Sequence, residues 1–151
     1  MKLKAERTLP VATRLLLVDD NPSGLAARKM VLTELGYEIT TATNAERALE
    51  LFQQSLFPLV VTDYKMPGKN GVELIRAIRE VAPQTRIVLI SGFVDAMGIT
   101  EENSGADAVI MKSANEVLQL VRAVNRLSKR TAAKQPAQAK SALKLKKSAG
   151  S

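Results

Sequence analysis

A chain of 151 residues, 46% hydrophobic and 25% charged, is long enough for one domain with a real core and too short for two ordinary ones. It has no Cys and no His, which excludes disulfides, thiolate metal sites and any imidazole base, ligand or phosphate carrier, and leaves carboxylates, hydroxyls and amines for chemistry. The net charge of +7 belongs to the ends: residues 1–14 carry four Lys/Arg and one Glu, residues 15–127 eleven Lys/Arg against fourteen Asp/Glu, and residues 128–151 seven Lys/Arg and no acid, which argues against a basic, nucleic-acid-gripping body.

In chain order, an arm of residues 1–13 comes first. Its charges are scattered, it holds no apolar stretch of signal-peptide length, and no later run approaches a membrane span; a cytoplasmic chain without membrane contact is expected. From Leu15 onward, apolar runs of strand length alternate with segments of helical period. The run Leu15–Val18 precedes a helix marked by Leu25, Val31, Leu32 and Leu35 and closed by Gly36. The run Glu38–Ala42 precedes a helix capped by Asn44, with Ala45, Ala48, Leu49 and Phe52 inward. After Leu59–Thr62 comes a helix from about Gly71, with Val72, Ile75 and Ile78 inward, that stops before Pro83. Ile87–Ile90 is followed by Asp95–Ser104, where Gly98, Thr100 and Asn103 predict a short or frayed helix, the most mobile element of the set. Ala108–Met111 leads to the best-marked helix, with Val117, Leu120, Val121, Val124 and Leu127 on one stripe and Ser113 and Glu116 spaced as a capping box. Residues 129–151, rich in Lys, Ala, Ser and Gln, are predicted to form a basic disordered tail.

Strands joined by helical crossovers form a parallel sheet with helices on both faces, and polar sites gather beyond the carboxyl ends of the strands. Those ends read Asp19 and Asp20, Asp63, Ser91 and Lys112. Three carboxylates at one rim repel one another and call for a cation; Mg²⁺, a hard ion that takes oxygen ligands and often shares them with a phosphate, is the natural one. An Asp beside such an ion acts as a nucleophile toward phosphorus, while Lys112 and Ser91 steady the phosphoryl oxygens.

The motifs Leu17-Val-Asp-Asp-Asn21, Val61-Thr-Asp-Tyr-Lys-Met-Pro-Gly68 with Gly71, Ile90-Ser-Gly92, and Gly105-Ala-Asp-Ala108 with Lys112 are together highly specific. Through them the chain resembles the receiver domains of two-component response regulators, of the stand-alone, chemotaxis-regulator-like kind, over roughly residues 14–128. The resemblance implies a five-stranded parallel sheet in the flavodoxin-like order 2-1-3-4-5. It makes Asp63 the residue that takes a phosphoryl group from a histidine kinase or histidine phosphotransfer protein. It makes Asp20 a direct Mg²⁺ ligand, Asp19 a ligand through water, and the carbonyl of Lys65 the backbone ligand. Ser91 becomes the hydroxyl that turns toward the phosphate, Lys112 the partner of a phosphoryl oxygen, and Met66, Pro67 and Gly71 the shapers of the loop after Asp63. Catalysis is limited to the domain's own phosphorylation and dephosphorylation, and output passes through a downstream effector protein.

Two positions depart from the family pattern. Val109 stands where receivers often carry an aromatic ring that swings with the hydroxyl residue, and Ser113 follows Lys112 in place of the usual Pro. A Mg²⁺-dependent phosphohydrolase with an aspartyl nucleophile is the enzyme alternative, but such enzymes place a second Asp two residues after the first, where this chain has Lys65. A receiver-like binding module without phosphorylation is the other, and the complete set of Asp19, Asp20, Asp63, Ser91 and Lys112 argues against it. For the tail, a passive linker is favoured over weak, sequence-independent contact with nucleic acid.

Overall fold

The computed structural model describes residues 13–92 and 98–134, residues 130–134 by backbone alone. Strands and helices alternate as β1 (Arg14–Val18), α1 (Pro22–Glu34), β2 (Glu38–Ala42), α2 (Ala45–Gln54), β3 (Leu59–Asp63), α3 (Gly71–Val81), β4 (Arg86–Ser91), α4 (Glu101–Ser104), β5 (Ala108–Met111) and α5 (Glu116–Lys134). Every strand pair is parallel and the order across the sheet is β2-β1-β3-β4-β5, the flavodoxin-like order expected.

Because successive strand side chains point to opposite faces, strands that are apolar throughout must be covered on both sides. Leu16, Val18, Val60, Ile87 and Leu89 pack against one layer made by Ala48 and Phe52 of α2 and Leu74, Ile75 and Ile78 of α3. Leu15, Leu17, Leu59, Val61, Val88 and Ile90 pack against the other, made by Leu32 of α1 and Leu120, Val124 and Leu127 of α5. Each fully buried aliphatic side chain is worth about 1.5–3 kcal/mol, so this double layer fixes the sheet and with it the rim of strand ends.

Local signals set the helix starts. Asn21 accepts hydrogen bonds from the Ser23 and Gly24 amides at the head of α1, Pro22 takes the first helical position, and Asn70 with Glu73 closes a reciprocal capping box on α3. The weak fourth crossover contracts to the single turn of α4, held by a box between Thr100 and Asn103; residues 95–97 of that predicted segment lie outside the described residues.

Three expectations are corrected. Val117 is exposed, so the stripe of α5 begins at Leu120 and includes Ala123. The Ser113–Glu116 capping box does not form: Ser113 Oγ accepts from the Asn115 amide at 3.2 Å, and the Glu116 carboxylate turns instead to Arg28. Finally, α5 runs through the boundary expected at Ser128 as far as Lys134, because extending an existing helix needs no new nucleus and Ala132 and Ala133 are strong helix formers. The rest of the predicted tail, residues 135–151, lies outside the described residues. No helix among the described residues is long and apolar enough to cross a membrane.

Candidate functional site

The register of the sheet assembles the site. Val18 of β1 pairs with Thr62 of β3, so Asp19 and Asp63, one residue on, emerge side by side. Asp63 pairs with Ile90 and Ser91 pairs with Met111, so Ser91 and Lys112 each follow one residue beyond these pairs on the neighbouring strands. Asp19 and Asp63 are buried and Asp20 is exposed, and oxygens from the three carboxylates all lie within 4.8 Å of one another.

Two cations answer this charge. Lys112 Nζ donates to Asp63 Oδ2 at 2.9 Å; its stem is partly exposed, and its amide is fixed by a 2.8 Å bond to the Ser91 carbonyl. The second is Arg28, buried on α1. Its Nη1 donates to Asp19 Oδ2 at 2.7 Å and to Asp63 Oδ1 at 3.2 Å, while its Nε and Nη2 both lie 2.8 Å from Glu116 Oε2 on α5. A buried guanidinium is tolerable only when so paired. Asp19 Oδ1 also accepts the Asn21 amide at 2.9 Å. Burial pushes the Asp19 carboxyl above the usual carboxylate range; the Asn21 amide pulls it back, the charge of Asp63 raises it further, and Arg28 lowers it.

Asp19, Asp20, Asp63 and Glu116 against Arg28 and Lys112 leave a formal charge of −2. That charge and an all-oxygen donor set fit a hard divalent ion such as Mg²⁺.

The loop after β3 holds the three residues expected to shape it. Met66 is buried in the core and anchors the loop, while Lys65 and Pro67 are exposed; Gly68 has φ 77°, the left-handed region open to glycine. Gly71 begins α3 so close to the chain that a Cβ on it would overlap the Asp63 carbonyl and lie 2.8 Å from Leu89 Cδ1, and its amide donates to the Tyr64 carbonyl at 2.7 Å. Ser91 is fully buried, its Oγ donating to the Gly92 carbonyl over a long 3.4 Å. Val109 is half-buried against the core, with its amide bonded to Glu101 Oε2 at 3.1 Å.

Sequence reasoning missed Arg28, Glu116 and Gly24. A Cβ on Gly24 would lie 2.7 Å from Asp19 Oδ2, so α1 passes the pocket only because that side chain is absent. The signal for Arg28 was present: Gly24, Arg28 and Leu32 share one helical face at spacing i, i+4, i+8, and a charge in the middle of a core-facing stripe, one turn from an acidic rim, asks for a carboxylate partner.

Comparison with known proteins agrees with this arrangement. A family model described as the response regulator receiver domain matches residues 15–125. The chain is 32% identical over 118 residues to the chemotaxis protein CheY of Thermotoga maritima, covering 77% of this chain and 98% of that one. It is 40% identical over 96 residues to the virulence sensor protein BvgS of Bordetella bronchiseptica, covering 60% of this chain but only 8% of that much longer protein. Among solved structures, the response regulator TrrA of Thermotoga maritima, in complex with Mg²⁺–BeF, superposes with a TM-score of 0.69 at 35% identity, covering 76% of this chain and 98% of that one. TrrA has also been solved in complex with the histidine kinase ThkA; that copy gives a TM-score of 0.67 at 35% identity, covering 76% of this chain and 97% of the other.

Proposed function

The chain belongs to the response regulator receiver domain family, and from that premise we propose that Asp63 is its phosphoryl acceptor. The observation that carries this reading is the position of the Asp63 carboxylate. It is buried at the end of a central strand, faces Lys112 Nζ at 2.9 Å, and stands among carboxylates within reach of one ion. Asp19, Asp20, Asp63 and the Lys65 carbonyl would hold Mg²⁺. Bound there, the ion offsets the charge that carboxylates and phosphoryl oxygens bring together.

In the transfer, an Asp63 carboxylate oxygen forms the new O–P bond as the N–P bond of a phosphohistidine donor breaks, and the imidazole nitrogen keeps the electron pair. Lys112 neutralises a phosphoryl oxygen as the charge moves onto Asp63. Ser91, whose hydroxyl is held among the described residues by the long bond to the Gly92 carbonyl, turns that hydroxyl toward the phosphoryl group and carries the change into the β4 end. Gly71 and Met66 keep the loop behind Asp63 still. The donor class is a sensor histidine kinase or a histidine phosphotransfer protein, as the complex of the related TrrA with ThkA suggests. The setting is therefore cytoplasmic, the domain's only catalysis is on its own acyl phosphate, and output passes to an effector protein. The receiver unit begins at residue 14 and includes α5 past Ser128, with an arm at residues 1–13 before it and a basic tail after it. Incubation with a panel of radiolabelled phosphohistidine kinases tests the donor class: transfer from at least one to wild type supports it, and transfer to Asp63→Asn at the wild-type rate contradicts it.

A further inference from the structure

The acidic pocket contains a cation that the family reading does not use. Arg28 Nη1 bridges Asp19 Oδ2 and Asp63 Oδ1, two of the three carboxylates that would share Mg²⁺, and the opposite edge of the same guanidinium grips Glu116 in the first turn of α5. The arginine thus has two acidic seats, one on the pocket and one on the last helix. Gly24, one turn earlier, leaves room for the Asp19 carboxylate against α1.

We propose that Arg28 is a built-in counter-cation that competes with the divalent ion for Asp19 and Asp63, and that its displacement onto Glu116 transmits occupancy of the pocket to the start of α5. The inference rests on the Mg²⁺ reading above. A carboxylate oxygen bonded to a guanidinium N–H has a lone pair engaged, and a positive charge at that distance opposes a second cation. Without the ion, Arg28 lessens the repulsion between Asp19 and Asp63 that would otherwise strain the rim. With the ion, Arg28 must loosen from at least one of these two carboxylates, and Glu116, already bonded through Nε and Nη2, is the seat that remains. Arg28 is a positioning residue in this scheme: it sets the affinity of the pocket and links it to a helix.

The test is Mg²⁺ affinity by calorimetry, with amide NMR shifts of residues 116–119 as second readout, on the full chain as wild type, Arg28→Met and Glu116→Gln. Arg28→Met removes the charge at similar volume. It is expected to bind Mg²⁺ roughly tenfold more tightly, the order for removing one partly screened charge a few ångströms away, and to lose the Mg²⁺-induced shifts in the first turn of α5. Glu116→Gln keeps an acceptor oxygen at residue 116 and leaves Arg28 paired with Asp19 and Asp63, and urea unfolding checks that it folds. It is expected to bind Mg²⁺ several-fold more weakly, because displaced Arg28 no longer has an acidic seat. Binding in wild type with the same or weaker affinity in Arg28→Met overturns the proposal and leaves the metal reading standing; unchanged affinity in Glu116→Gln overturns the hand-over. No binding to any of the three proteins overturns the metal reading beneath it.

Discussion

Gly71 stands so close behind Asp63 that a methyl group on it would overlap the Asp63 carbonyl oxygen and press within 2.9 Å of the Tyr64 Cα. Backbone cannot yield as a side-chain tip does, so the start of α3 and the end of β3 are locked together only while residue 71 is glycine. Gly71→Ala is expected to destabilise the domain by about 1–3 kcal/mol, the usual cost of overpacking. Urea unfolding measures it, and a midpoint equal to wild type contradicts the close approach.

Gly24 makes a second close approach. Its absent Cβ would lie 2.7 Å from the buried Asp19 carboxylate, yet the residue is in the first turn of α1, where alanine is the better helix former by up to about 1 kcal/mol. Gly24→Ala is expected to weaken Mg²⁺ binding several-fold, because the methyl group pushes the Asp19 carboxylate out of the pocket, and to lower stability through the loss of the buried Asp19–Arg28 pair, which outweighs the helix-propensity gain. Calorimetric Mg²⁺ titration paired with urea unfolding separates the two effects. Unchanged Mg²⁺ affinity would remove Gly24 from the site.

Asp20 and Lys112 are expected to fail at different steps. Asp20 is the exposed member of the acidic trio, and Asp20→Ala should lower Mg²⁺ affinity by tenfold or more and suppress phosphorylation with it. Lys112 contacts Asp63, and Lys112→Ala should leave Mg²⁺ binding intact or tighter while slowing transfer, since a positive charge has gone. Metal titration followed by a phosphorylation time course distinguishes them, and a parallel loss of metal affinity in both variants would contradict the assignment.

The raised Asp19 carboxyl gives a pH signature. Its folded pKa lies above its unfolded one, so without metal the folded state binds the proton more tightly, and stability falls as pH rises from the unfolded value through the folded value, then levels. Mg²⁺ binds the ionised form and competes with that proton. The rise in Tm on adding Mg²⁺ should therefore be small in acid and grow as pH rises through the folded value, and a Tm increment independent of pH across that window would contradict it.

Most of the fold was legible because each strand is a short apolar run between turn residues, and β2 and β5 fall on the expected bounds. The strand ends pointed to the candidate site, since Asp19, Asp63, Ser91 and Lys112 are polar residues directly beside buried runs. Arg28 and Glu116 were passed over for a physical reason: the partner of each lies on another element, which local rules do not reveal. Glu116 stands three residues after Ser113, the spacing of a local cap, but the buried guanidinium is the stronger partner. Arg28 shares the inward face of α1 with Leu32, but its carboxylate partners come together only when the sheet register sets Asp19 beside Asp63. The run of α5 past Ser128 was also missed, because composition marks where a core stops and not how far a helix already under way extends.

The central claim is that Asp63 takes the phosphoryl group with the help of a divalent ion. Intact-mass measurement of wild type and Asp63→Asn, incubated with a small acyl or amide phosphodonor with and without a chelator, tests it most directly. One added phosphoryl group is expected on wild type in Mg²⁺, little with chelator, and none on Asp63→Asn. Undiminished labelling of Asp63→Asn, or labelling of wild type that ignores the chelator, would contradict the account.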